Sequence, residues 1–525
     1  MAHHSTGDGT ASAQRRGSIP GAGSPPRRFL DRPELVLGLA TLALHLWVNG
    51  AYGYFRDELY FVVCGRHPAW GYTDQPPLTP LIAWASDAAF HSLRGLRLVP
   101  AIACAATVAL TAHAARLLGG GLYARWLAGL AVLGGGALQF FGVCLTTDSL
   151  QPLAWLAIGL LIVKTERDEE PRLWLAAGVI AGVAFLAKYT VALYLVSLAA
   201  GLLATPQRRL LARWEPWAAA LIALAIAAPN LIWQAANGWP FVAHTAVLAA
   251  EKNIPLSPVS FLLQGVLTLG PASAPVWIAG VFAFAFWPRF ARWRWVAVSW
   301  VLLIAAAVIG RGRPYYLAPA YPLLMAGGAV ALEAWLPRLA KPAFAALMLA
   351  VAALTAPLFL PVLPIESFVA YERAIRFRPS TGERLRLGDL PQYYADMFGW
   401  PELAETAGKA YQALSPEDRA RAVFFAWNYG DAAAVDFFGA PWGLPPAIST
   451  HENYFLWGPH GADGGVVLIL GGTRERLLKT FRTVEPVGRF DNPLAMPDES
   501  GQTLWLCRDM LEPIEKVWPR LRHFG

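Results

Sequence analysis

The stretch Tyr54–Leu78, YFRDELYFVVCGRHPAWGYTDQPPL, gathers residues that could do chemistry. Arg56, Asp57, Glu58, Arg66, His67 and Asp74 stand among Tyr, Phe and Trp, and the stretch closes on Pro76-Pro77. A carboxylate can take the proton of a hydroxyl. Arginine and lysine can clamp an anion, arginine through two parallel hydrogen bonds. The stretch directly follows an apolar run, and charges kept at a membrane boundary are costly without a use. Aromatic rings suit that level, where an apolar ring body meets a wet edge. One reading is an interfacial connector whose charges face water. The sharper one is a catalytic loop facing a lipid-linked substrate.

The elements that must position this loop are apolar. Of 525 residues, 56% are hydrophobic and 15% charged, and 22 are Trp. That is the composition of a polytopic α-helical membrane protein with a soluble part attached. The net charge of +7 is spread over short loops, as membrane topology requires, and does not call for nucleic acid. Cys64, Cys104, Cys144 and Cys507 show neither CxxC nor zinc spacing, so no disulfide framework is expected. Residues 1–33, rich in Gly, Ser, Pro and Arg, read as a disordered tail and not a signal peptide.

Apolar runs able to cross a bilayer, about 17 to 25 residues each, fall near 34–51, 96–115, 126–145, 149–163, 173–187, 190–204, 217–234, 259–287, 295–310, 315–335 and 343–361. This predicts about eleven spans within a transmembrane domain at 34–361. Gly270, Pro271 and Pro275 predict a kink or break in the run at 259–287. Arginines of the tail, then Arg116 and Arg125, Lys164 to Arg172, Arg208 to Arg213, Arg289 to Arg294, and Arg338 with Lys341 fall on alternate loops. By the positive-inside rule the N-terminus is then cytoplasmic, and the C-terminal region lies outside.

The opposite loops hold 54–78, Thr147-Asp148, Lys188-Tyr189, 235–258 and Arg311 to Tyr316. Asp148 could cap the following helix. Lys188, Arg311 and Arg313 could snorkel to the interface. Their joint placement on one side instead favours a shared anionic ligand. Residues 362–525 change composition and read as an extracytoplasmic α/β domain of normal size. Strands are expected at 423–426 and 466–470, helices at 403–414 and 473–481, and a turn at Asp491-Asn492-Pro493. The run His451-Glu452-Asn453-Tyr454 reads more readily as a structural turn than as a metal site.

An outward site at the bilayer edge points to a donor that is itself a lipid, such as a polyprenyl-phosphate sugar. Cations would stabilise the charge developing on its phosphate, and direct displacement would invert the anomeric centre.

Asp57-Glu58 followed by Gly71-Tyr72-Thr73-Asp74-Gln75-Pro76-Pro77-Leu78 resembles the first outer loop of glycosyltransferase family 39. This family holds bacterial relatives of the protein O-mannosyltransferases within the GT-C superfamily, and is akin to Rgt-type and aminoarabinose lipid A transferases. The family usually has His where Gln75 stands. Thr147-Asp148, Lys188-Tyr189 and Arg311 to Pro322 resemble later motifs in the same order. The resemblance implies a GT-C fold and an inverting transfer of sugar from a polyprenyl-phosphate donor to a glycan, lipid or protein hydroxyl. Asp57 would be the base, with Glu58 and Asp148 supporting the site or helping to hold an ion. Lys188, Arg311, Arg313 and Tyr316 would hold the donor phosphate, and Arg56, His67, Tyr72 and Gln75 would bind substrate. A divalent metal ion is the one cofactor left open, with Asp74 as its ligand. Two other classes stay open: a transporter or flippase of a lipid-linked or anionic substrate, and a non-catalytic glycan sensor. No inverted repeat relates the two halves, which argues against the first.

Overall fold

The computed structural model describes residues 29–376, 383–384 and 386–524. The first 28 residues of the expected tail lie outside this range. Each apolar interval is occupied by helix, beginning with Pro33–Val48 and ending with Ala340–Thr355. Among the described residues five helices are long and apolar enough to cross a membrane alone, or up to seven if each bent pair is one span. The expected eleven exceeds this because several intervals hold shorter helices, among them Pro33–Val48 and Leu173–Ala187. The apolar window of Ala340–Leu358 is only 11% buried by protein and that of Glu215–Ala236 only 22%. Such outward apolar faces suit lipid and not water.

The predicted break falls between Pro258–Leu269 and Ala274–Phe286. Gly270 adopts φ +89, and a Cβ there would lie 2.6 Å from the Gly134 carbonyl oxygen. Helix Ala274–Phe286 then packs on Tyr321–Trp335 through Gly280 and Gly328. A Cβ on either would meet the backbone of the other helix within 2.0 Å, so only glycine permits this approach.

The C-terminal region carries a five-stranded sheet of β1 (Ala422–Ala426), β2 (Ile448–Ser449), β3 (Val466–Leu470), β4 (Phe481–Phe490) and β5 (Gln502–Met510). The order is β2-β1-β3-β5-β4, with β1 parallel to β2 and β3, and β5 antiparallel to β3 and β4. The strands read at 423–426 and 466–470 are β1 and β3. The helix read at 403–414 is Trp400–Gln412. The helix read at 473–481 shrinks to Arg474–Leu477, because Phe481 begins β4 and turns its ring into the core. The turn at 491–493 lies in the β4–β5 connection.

The loop stretch of 54–78 begins as helix Arg56–Arg66, and this helix joins the two regions. Leu59, Tyr60, Val62 and Val63 share one apolar cluster with Trp400, Leu403, Phe424 and Leu468. The residues after it are pinned from the membrane side. Asn230 and Gln234 of Glu215–Ala236 donate from their amides to the carbonyls of Trp70 and Tyr72, at 2.8 and 3.0 Å.

Candidate active site

Helix Arg56–Arg66 starts with three consecutive charged residues that point in different directions. Glu58, at the third helical position, reaches back to accept from the Phe55 amide at 2.9 Å, which closes the helix start. The same carboxylate accepts from the Leu145 amide at 2.9 Å and from Arg97, whose Nη2 approaches to 2.8 Å. Arg97 also donates to the Asn49 and Gly53 carbonyls. Both side chains are fully buried. Glu58 therefore ties the loop to the membrane helices, and it does not reach the cavity beside it, where the sequence reading places it with Asp57.

That cavity has a volume of about 560 Å³ and is lined by both regions. Asp57, Arg56, Asp74, Gln75, Asp148, Lys188, Arg313 and Tyr316 all line it. His67, Tyr72 and Arg311 do not. His67 stacks on Trp457. The Tyr72 hydroxyl is spent on the carbonyls of Cys64 and His67. Arg311 is exposed; its backbone amide donates to the Val308 carbonyl and its carbonyl accepts from Asn253. Its neighbour at 313 turns inward because the chain takes a left-handed step at Arg311, φ +53.

Three groups of side chains line the cavity. In the first, Lys188 lies 4.7 Å from the Tyr316 ring centroid and pairs with Asp148, while Arg313 lies over the same ring at 5.7 Å and pairs with Glu383. Arg313 Nε donates to Asn253 at 2.8 Å. Lys252 also lines the cavity, and among the described residues no carboxylate lies within ion-pair distance of it. Burial, then the charge of Arg56, pushes its pKa down. The second group is Asp57 with Arg56, Tyr429 and Asp396.

The third group joins Asp74 to the C-terminal region. Tyr60 donates to Asp74 Oδ1 at 3.2 Å and accepts from the Asn453 amide. Thr73 donates to Glu452 Oε2 at 2.9 Å, and His244 Nδ1 lies 2.9 Å from Glu452 Oε1. Burial, then the Glu452 charge, raises the Asp74 pKa to about 7. Burial would raise Glu452 too, but hydrogen bonds from His244 and His451 outweigh it and hold it well below the usual range. Among the described residues no three His, Cys, Asp or Glu side chains converge to hold a metal ion. The metal role suggested for Asp74 does not fit this geometry.

Glu452, Tyr429, His244, Lys252, Tyr315 and Asp396 are lining residues that the sequence reading did not assign. For Glu452 the available signal was the His451–Tyr454 run. It does form a turn into helix Glu452–Trp457, with Glu452 at φ +48, but that turn aims the carboxylate into the cavity.

Residues 74–233 match the family model for dolichyl-phosphate-mannose-protein mannosyltransferases. ArnT from Cupriavidus metallidurans bound to undecaprenyl phosphate superposes with a TM-score of 0.61 at 16% identity, over 90% of this chain and 97% of that one. Its apo state gives 0.60 over the same shares, also at 16% identity. The fold is of the kind seen in ArnT, the GT-C architecture expected from the sequence. Beside the resemblance to family 39 stand a family-model match over 74–233 and a fold likeness over most of the chain. An Archaeoglobus fulgidus oligosaccharyltransferase in its apo form gives a TM-score of 0.47 at 12% identity, over 84% of this chain and 66% of that one. No curated protein sequence matches the chain. The GT-C fold places the cavity where membrane helices and the C-terminal sheet region meet.

Proposed function

We propose that this protein is an inverting glycosyltransferase that moves a sugar from a polyprenyl-phosphate donor to a hydroxyl acceptor. The observation that carries this reading is the mixed lining of one cavity. Carboxylates, unpaired and paired cations, and apolar side chains such as Phe140, Leu193 and Phe359 all face the same space. A lipid phosphate needs both the cations and the apolar wall. Fold likeness to ArnT, which holds undecaprenyl phosphate, supports the class of carrier.

The Asp57 carboxylate takes the proton of the acceptor hydroxyl as its oxygen attacks the anomeric carbon. The bond from that carbon to the phosphate oxygen breaks, and its electron pair leaves with the polyprenyl phosphate. Lys188, Arg313 and Lys252 stabilise the charge gathering there, with Tyr315 and Tyr316 framing the cations. Gln75, buried with neither amide atom partnered, offers a donor and an acceptor to the sugar. Alternating basic loops support a cytoplasmic N-terminus and an extracytoplasmic site. Mixed polar and apolar walls also suit a lipid transporter, but a transporter has no need of a base such as Asp57.

The test is a panel of isotopically labelled polyprenyl-phosphate sugars offered to purified protein in lipid nanodiscs with cell-envelope acceptors. Label transferred to an acceptor with release of polyprenyl phosphate supports the reading. Labelled lipid that crosses the bilayer intact favours a flippase.

A further inference from the structure

Asp57 is held by a residue from the far end of the chain. The Tyr429 hydroxyl donates to Asp57 Oδ1 at 2.7 Å. Arg56 Nε lies 3.7 Å from the same oxygen. Among the described residues, Asp57 Oδ2 has no protein hydrogen bond. Tyr429 is itself fixed. It opens helix Tyr429–Phe438, whose start is capped by Asn428, and its ring packs on Tyr60 with centroids 4.6 Å apart. The next residue is Gly430, where a Cβ would come within 2.6 Å of Arg56 Cγ, so this helix start can lie directly on Arg56.

Arg56 is the neighbour best placed to take Asp57 out of use, since an adjacent cation favours the ionised, paired carboxylate. It is drawn the other way. Its Nη2 lies 3.5 Å from Asp396 and its Nη1 3.5 Å from Glu499, both buried carboxylates of the C-terminal region. Its guanidinium also lies 5.5 Å from the Tyr429 ring centroid. Asp74, Asp431 and Lys252 are further charged groups facing this pair.

We infer that Tyr429 is a positioning residue for Asp57. It fixes the carboxylate so that Oδ2 is left for the acceptor, while Asp396 and Glu499 hold Arg56 off. This rests on the sugar-transfer reading and makes the C-terminal region part of the catalytic apparatus.

In full-length protein in nanodiscs, the infrared carboxylate stretching bands lost in Asp57→Asn report the hydrogen bonding of this carboxylate without any donor. In Tyr429→Phe these bands should shift in frequency, kcat should fall about tenfold or more and donor KM should stay unchanged. A folded Tyr429→Phe protein with unmoved bands and wild-type kcat overturns the inference. Asp396→Asn supplies a second test, and carries it alone if Tyr429→Phe does not fold. Freed from Asp396, Arg56 should turn to Asp57, shift the same bands and lower kcat; unmoved bands with wild-type kcat overturn the inference. A wild-type protein that transfers no sugar, with the variants' bands moving as expected, refutes the glycosyltransferase reading and leaves the contact standing.

Discussion

Arg97→Met should destabilise the protein sharply while leaving the specific activity of the folded fraction unchanged. Arg97 and Glu58 are fully buried and joined by contacts of 2.8, 2.9 and 3.2 Å. Methionine keeps much of the stem but removes every donor. Glu58 would then stay buried with only the Phe55 and Leu145 amides to compensate its charge, and the Asn49 and Gly53 carbonyls would lose their partner. Breaking one side of a buried pair costs about 3–5 kcal/mol. Glu58→Gln alone strands the arginine and should cost a similar amount. The double variant removes both charges and should recover much of the loss, since replacing a whole buried pair with apolar groups is often near neutral. The assay is thermal unfolding of the four proteins in one detergent, followed by size exclusion. A coupling near zero would refute the structural role. So would a Glu58→Gln protein of normal stability and abolished turnover, which would return Glu58 to the chemistry.

Further outcomes follow from the cavity. Lys252→Ala and Arg313→Gln should each raise donor KM about tenfold or more, and Lys252→Ala should leave the melting midpoint unchanged because no carboxylate loses a partner. Normal donor use in both would remove them from the phosphate site. Gln75→Leu should lower kcat/KM about tenfold or more yet raise thermal stability, because a buried amide without partners costs about 1–3 kcal/mol; lower stability with normal kinetics would show an undetected structural role. His244 gains from its bond to Glu452, which outweighs burial and raises its pKa above 6.5. A group with a raised folded pKa stabilises fully below its unfolded value and loses that contribution as pH rises through the folded one. The wild-type melting midpoint should therefore fall as pH increases above about 6.5, and His244→Gln should flatten that slope. An equal slope in both proteins would contradict the pairing.

Much of this architecture was legible because bilayer-spanning segments must be apolar and their loops carry a charge bias. Gly270-Pro271 marked the break correctly, since a carbonyl leaves no room for a side chain there. The C-terminal sheet was legible where strands are wholly apolar, as at 466–470, and missed where they alternate and twist at an edge, as at 481–490. The loop residues divided by helix geometry. Asp57 and Glu58 are adjacent in sequence but about 100° apart around a helix, so one faces the cavity and the other the core. His67, Tyr72 and Arg311 were drawn in by sequence proximity, whereas their side chains or backbone turn elsewhere. Tyr429 and Glu452 reach the site across more than 350 residues of chain, and no local periodicity encodes such a contact. Lys252 ends the helical segment Leu248–Lys252, and its signal in the sequence was its charge.

The most direct measurement is the turnover of Asp57→Asn beside wild type, with undecaprenyl-phosphate binding measured on the same preparations. The substitution keeps size and one oxygen but removes the charge and most of the basicity. The account predicts a fall of about a hundredfold or more with lipid-phosphate binding little changed, because Lys188, Lys252 and Arg313 are untouched. Glu58 cannot stand in for the lost base, since Arg97 and two backbone amides hold it away from the cavity. A correctly inserted Asp57→Asn protein that transfers sugar at the wild-type rate would contradict the account.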